Sequence, residues 1–326
     1  MESIYKIFEE LSCSLADVGN GYQVASLPFI ENHRLGLSET GYPTFFINTP
    51  EGEKNIFFDV NLEIISVKYD VHCQLTAGST ITEGCYSIIS LNSESRDLQE
   101  YFVEVAYLIL KKLPPFPKAS VVRIEIEKII DLFSQLSMPP TKSIQGLWAE
   151  LLVIDCSDNV DYLVNSWHSS EKDLFDFNDG QDKIEVKSTS GNKRIHHFSI
   201  GQLNPNLSSE LLIASVYAIR TGIGKNIFDL VADIYKKLTD KALIYKVNQI
   251  ISLSLGESFE RAFEVSFDYK LAEDSLLYYR GSEIPGINSS CIPTQVSNVH
   301  FDCDLSHIKP VSTLGTSKLH NYLRIK

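Results

Sequence analysis

Between Ser143 and Leu238 the spacing of apolar residues changes from helical to strand-like and back, and this order constrains the fold more than any other feature of the chain. Leu147, Leu151 and Ile154 form the stripe of a helix predicted over residues 143–156. Residues 173–187 read as a hairpin around Asn178-Asp179-Gly180, residue types that favour a turn. A strand near 195–200 and an apolar strand at 211–219 follow, and Ile227, Leu230, Val231, Ile234 and Leu238 restore helical spacing. Helix, strands and helix in that order predict an α/β fold with a mixed sheet flanked by helices.

The segment before this core is dominated by strand signals. Ile4, Ile7, Phe8 and Leu11 predict a short opening helix, after which residues 43–48 and 55–60 read as a hairpin joined by 49–54. Ile65, Val67, Tyr69, Val71, Cys73 and Leu75 alternate with polar residues, as a half-buried antiparallel strand requires. Helices are predicted near 98–112 and 121–136, separated by Leu113-Pro114-Pro115-Phe116-Pro117. Phe263, Val265, Phe267 and Tyr269, and later Phe301, Cys303 and Leu305, return to strand alternation. Three segments result: a β-rich N-terminal module at 1–118, a core that carries the chemistry at 119–250, and a β-rich extension at 251–326.

Charge and composition narrow the partners. The 29 basic and 42 acidic residues give a net charge of −13, so any grip on a polyanion must come from local clusters. Residues 1–119 carry 8 basic and 16 acidic side chains, whereas residues 120–250 carry 14 and 17, which makes the core the less repulsive part. The six cysteines include no C-x-x-C pair, which argues against a zinc site and reads as reduced thiols. A start without a basic and apolar leader, and the lack of a membrane-length apolar run, predict a cytoplasmic protein with no membrane partner.

In Lys183-Ile184-Glu185-Val186-Lys187 the two-residue period sends Glu185 and Lys187 to one face and Ile184 and Val186 to the other. Asp176 returns toward Glu185 across the predicted turn. Neighbouring carboxylates repel unless a cation stands between them, and oxygen ligands without His or Cys favour a hard ion such as Mg²⁺. Lys187 would offset charge on a phosphorus under attack, which with the ion makes up the parts of phosphodiester hydrolysis. Glu150 interrupts the apolar stripe of its helix, a costly place for a carboxylate unless it is paired or metal-bound.

Gly146-Leu147-Trp148-Ala149-Glu150-Leu151-Leu152, Trp167-His168, Asp173-Leu174-Phe175-Asp176-Phe177, Ile184-Glu185-Val186-Lys187-Ser188-Thr189 and Gln202-Leu203 resemble, in order and spacing, the PD-(D/E)XK nucleases. Among these they are similar to the DUF4420-like group associated with restriction and phage-defence loci. The resemblance covers most of the chain, and its specificity lies in residues 146–203. It implies a restriction-endonuclease-like fold and Mg²⁺-dependent hydrolysis of DNA, with Mn²⁺ as a substitute. Asp176, Glu185 and Glu150 would then be the metal-site acids, Lys187 the catalytic lysine, and Gln202 a support of the site or a substrate contact. Two departures stand out: Ser169-Ser170 replaces the usual Gly-Pro, and Phe175 replaces Pro before Asp176.

Lys193, Arg194, His196 and His197 form a cationic run suited to DNA phosphates if it lines the cleft, and a solvated loop otherwise. His300, Asp302 and Asp304 read as a polar strand face, and Trp148 and Trp167 as core anchors. Gly222-Ile223-Gly224-Lys225 lacks the spacing and the Ser or Thr of a phosphate loop. The competing expectation is a catalytically silent nuclease-fold protein that binds DNA or partners within a defence complex; RNA or single-strand cleavage is a third. Cutting both strands of a duplex needs two active sites, so a homodimer or a partner-loaded complex is expected.

Overall fold

Strand periodicity governs the first part of the chain in the computed structural model, which describes residues 3–14, 21–49, 57–114, 117–168, 173–204, 209–288, 291–313 and 317–325. The chain divides into two compact units, Met1–Met138 and Pro139–Lys326. The boundary thus falls one helix later than residue 118, and the segment from 251 onward continues the second unit.

The first unit opens with helix α1 (Tyr5–Cys13), which buries Tyr5, Phe8 and Leu11. Strands β1 (Tyr22–Leu27), β2 (Ile30–Leu37), β3 (Pro43–Asn48), β4 (Val60–Asn61), β5 (Ile65–Ala77) and β6 (Thr80–Leu91) form one sheet in the order β1-β2-β3-β6-β5-β4. A second, parallel pairing of β1 with β5, Tyr22 against Leu75, closes this sheet on itself. Val24, Phe46, Leu75, Tyr86 and Ile88 pack together as one of its apolar clusters. The predicted alternation of β5 is present, and the strand bends at a bulge between Lys68 and Val71, where Asp70 takes a left-handed conformation. Helices α2 (Arg96–Leu110) and α3 (Ala119–Ser134) complete the unit, with Phe102 packed between Phe45 and Phe133.

The hairpin expected from 43–48 and 55–60 is not formed by the described residues. β3 pairs with β2 and β6, whereas β4 pairs with β5. Most of its connecting segment, and Pro115-Phe116 of the proline-rich stretch, lie outside the described residues.

In the second unit, helices α4 (Ile144–Asp155) and α5 (Val160–Ser166) precede strands β7 (Phe177–Asn178), β8 (Lys183–Thr189), β9 (Ile195–Ser199), β10 (Leu211–Tyr217) and β11 (Arg220–Lys225). Helices α6 (Ile227–Lys237), α7 (Leu243–Leu255), α8 (Arg261–Glu264) and α9 (Tyr269–Ser275) follow, with strands β12 (Leu277–Arg280) and β13 (His300–Asp304) after them. The central sheet runs β12-β10-β8-β7, with β8 and β10 parallel and both edges antiparallel. This is the mixed sheet flanked by helices that the order of elements in the sequence predicts. β13 pairs with β9 as a separate ribbon.

The alternation from Phe263 to Tyr269 predicts a strand, yet the chain there is helical at α8 and again at α9. Asp268 caps α9 by accepting the Leu271 amide at 3.0 Å, so the helix starts where the alternation would continue. Its apolar residues are placed by turns, helices and an isolated bridge instead: Phe263, half-buried, stacks 3.8 Å from Phe228, and Phe267, bridged to Arg220 and Lys225, is buried against Trp148. Among the described residues no helix is long and apolar enough to cross a membrane.

Candidate active site

The turn between β7 and β8 is built by its own side chains. Asp179 Oδ1 accepts the amides of Gln181 and Asp182, Asn178 Oδ1 accepts that of Gly180, and Gly180 occupies φ +90°, which a side chain would strain. The resulting register, Phe177 opposite Ile184, brings Asp176 level with Glu185. Asp176 then leaves the ladder, and its Oδ2 accepts the Val186 amide at 2.8 Å. On the next outward positions of β8, Lys187 Nζ lies 2.8 Å from Glu185 Oε1. Strand period and turn chemistry thus gather Asp176, Glu185 and Lys187.

Glu150 arrives from α4, which is capped by Ser143 Oγ accepting the Gly146 amide at 3.0 Å. The helix is buried on every side from Leu147 to Asp155, so Glu150 lies not on an apolar stripe with a polar reverse but inside an apolar stretch of helix. Its carboxylate is satisfied twice: Trp167 Nε1 donates to Oε2 at 2.7 Å, and Lys142 Nζ donates to both oxygens at 2.6 and 2.7 Å. The same Lys142 ammonium donates to Asp176 Oδ1 at 2.9 Å. Lys142 thereby links the helix acid to the hairpin acid.

Burial first, and the charge of Asp176 second, push the carboxyls of both Glu150 and Glu185 up to about 8. Lys142 pulls Glu150 back down, and Lys187 does the same for Glu185, without cancelling the rise. Burial works against the charge of Lys142, but Glu150 and Asp176 outweigh it and hold its ammonium above the usual lysine range. Glu150 and Glu185 are therefore short of compensating positive charge. Among the described residues no group of three or more His, Cys, Asp or Glu side chains is arranged to hold a metal ion. Asp176 and Glu185 still fit one: two carboxylates are what Mg²⁺ uses when water and substrate oxygens complete its shell.

A family model described as "Putative PD-(D/E)XK family member, (DUF4420)" matches residues 12–306. The chain belongs to this family. No curated protein and no solved structure matches the chain.

In this DUF4420 member Gln202, in a 3-10 turn after β9, ties Glu185 to Lys187. Its Nε2 donates to Glu185 Oε1 at 2.5 Å, while its Oε1 accepts from Lys187 Nζ and from the Ser199 amide, both at 3.1 Å. The Phe198 ring lies 5.1 Å from the Lys187 ammonium.

The cationic run divides. Lys193 and His197 are exposed, and His197 pairs with Asp302. Arg194 and His196 are buried: Arg194 donates to the carbonyl and hydroxyl of Ser215 and to the Ser275 carbonyl, and His196 Nε2 bonds the Ser215 hydroxyl at 2.7 Å. From these buried positions they brace β9 against β10. Burial also lowers His196 to about 4.

Trp148 and Trp167 are buried anchors, and each indole nitrogen has a partner, Trp148 donating to the Lys225 carbonyl. The Ser169-Ser170 departure lies outside the described residues. Lys142 is the site residue that sequence patterns miss. Its one local sign is its place between the Pro139-Pro140 pair and the Ser143 cap.

Proposed function

We propose that this protein is a Mg²⁺-dependent nuclease that hydrolyses phosphodiester bonds of DNA, an endonuclease of a restriction or phage-defence system acting in the cytoplasm. The observation that carries this reading is the meeting of Asp176, Glu185 and Lys187 at one end of a pinned hairpin, with Glu150 joined to Asp176 through Lys142. Asp176 and Glu185 would hold the ion, Mn²⁺ serving as a substitute, and Glu150 would supply further negative charge behind Asp176. The bound ion supplies Lewis-acid stabilisation of the phosphate and a more acidic water.

The chain's own residues do the rest. Lys187, held by Glu185 and Gln202, presents an ammonium to the charge that grows on the phosphate oxygens as the bond breaks. Gln202 fixes the separation of acid and lysine, and is a positioning residue. Lys193 and His197 are the exposed members of the cationic run available to DNA phosphates. Two cuts in a duplex require two such sites, which favours a homodimer or a complex with defence-system partners.

Nicking of plasmid DNA by the purified chain with Mg²⁺ tests this reading. Lys187→Ala is expected to lower the rate by about a hundred-fold or more while calorimetry shows Mn²⁺ binding retained, because the ammonium acts on the transition state and not on the ion. Asp176→Ala is expected to weaken the ion. A Lys187→Ala protein that nicks at the parent rate would assign the activity elsewhere, and a parent inert on every nucleic acid, with its genomic neighbours present, would favour the silent DNA- or partner-binding reading.

A further inference from the structure

Lys142 carries more than a surface ion pair. Its ammonium contacts three carboxylate oxygens of two acids within 2.9 Å. The backbone that delivers it is fixed, since the amides of Thr141 and Lys142 both donate to the Ser254 carbonyl at the end of α7, each at 3.1 Å. Glu150 and Asp176 have side chains 4 % and 13 % exposed, whereas that of Lys142 is 30 % exposed. The lysine therefore enters from the solvent side and covers the acids.

We propose that Lys142 is a tethered counter-cation of the carboxylate site, one that holds Glu150 and Asp176 together and must release Asp176 before a divalent ion can bind there. The inference rests on the reading of Asp176 and Glu185 as ion ligands. Three carboxyl groups, Glu150, Asp176 and Glu185, face two ammoniums, Lys142 and Lys187, so with all three ionised they are left one positive charge short of neutral. A divalent ion added without displacement would put two cations on the same Asp176 carboxylate. Repulsion between charges at such separations, in a partly buried site, costs enough to shift an equilibrium by an order of magnitude or more. Lys142 thus sets how much free ion the site needs. It acts through the acids and is a positioning residue.

The test uses the full chain, with Lys142→Met, Lys142→Gln and Lys142→Arg, and reads Mg²⁺ binding by calorimetry at about pH 8.5, so that protons do not take the ammonium's place on buried acids. Lys142→Met is expected to bind Mg²⁺ about ten-fold or more tightly than the parent and Lys142→Arg close to the parent, since guanidinium keeps the charge. In chelator Lys142→Met is expected to melt below the parent, and Mg²⁺ to raise its melting temperature by more than it raises the parent's. Lys142→Gln keeps a donor for Glu150 without charge and is expected to show the same tightening should the Met variant not fold. A merely structural lysine would weaken ion binding when removed. Equal or weaker binding by folded Met and Gln variants overturns the proposal while the ion site stands; no binding by any of the four proteins removes the ion site itself, and the proposal with it.

Discussion

His33 and His196 are held neutral by burial, each pushed down to about 4 from an ordinary value of 6.5. At His33 the geometry explains why a proton is unwelcome: Nδ1 accepts the Asn48 amide at 3.1 Å, and a protonated ring would set two donors against each other. A histidine whose folded value lies below its unfolded value stabilises the fold fully above pH 6.5, and that contribution is lost as pH falls through 6.5 toward 4. The loss amounts to at most about 3 kcal/mol for each ring. Denaturant unfolding between pH 7 and 4 should therefore show falling stability. His33→Asn, whose amide oxygen can accept the same bond without titrating, should flatten the part of that slope belonging to the first unit; an unchanged slope would mean that His33 titrates normally. At this scale the sequence speaks unevenly. Glu185 and Lys187 were legible because the pleat of a strand fixes which side chains share a face. Arg194 and His196 look the same in sequence whether they are solvated or, as here, spent on Ser215 and Ser275. Lys142 finds its partners 8 and 34 residues away, where no local pattern reaches.

β11 shows how an element can imitate a motif for reasons of packing. Gly222-Ile223-Gly224-Lys225 is no phosphate loop: a Cβ on Gly224 would lie 2.0 Å from the Phe267 carbonyl oxygen, because that backbone crosses directly against the strand. Gly222 has nothing within 4 Å of its would-be Cβ. Gly224→Ala is thus expected to cost about 2 kcal/mol or more, and Gly222→Ala to stay within about 0.5 kcal/mol of the parent, by thermal or chemical unfolding. Comparable losses at both positions would contradict the close crossing. Helices α1, α2, α3 and α6 and strands β5 and β9 were readable from period and flanking residues, since each presents one apolar face over its own length, and α4 and β10 from runs buried on every side. What period could not supply was pairing. The partners of β3 and β4, and the conversion of the 263–269 alternation into turns and helices, depend on distant backbone and on one capping aspartate.

At the scale of the whole molecule every residue assigned to the site, from Lys142 to Gln202, belongs to the unit Pro139–Lys326. A fragment spanning 139–326 is expected to keep a cooperative melt and to bind Mn²⁺ within about three-fold of the full chain, as additivity between separate units predicts. A fragment that melts without cooperativity, or binds no ion when the full chain does, would make the first unit part of the site's support. The first unit has its own lesson in the pairing of Tyr22 with Leu75. Open sheets offer unpaired amides and carbonyls to any passing strand. Here β1 and β5 occupy one another over that stretch, and the remaining β4 is a two-residue strand. Translation delivers this half of the polypeptide first. While the ribosome is still making the second half, the nascent chain can already have sealed its own seam, leaving little along that border to which a neighbouring polysome's product could stick.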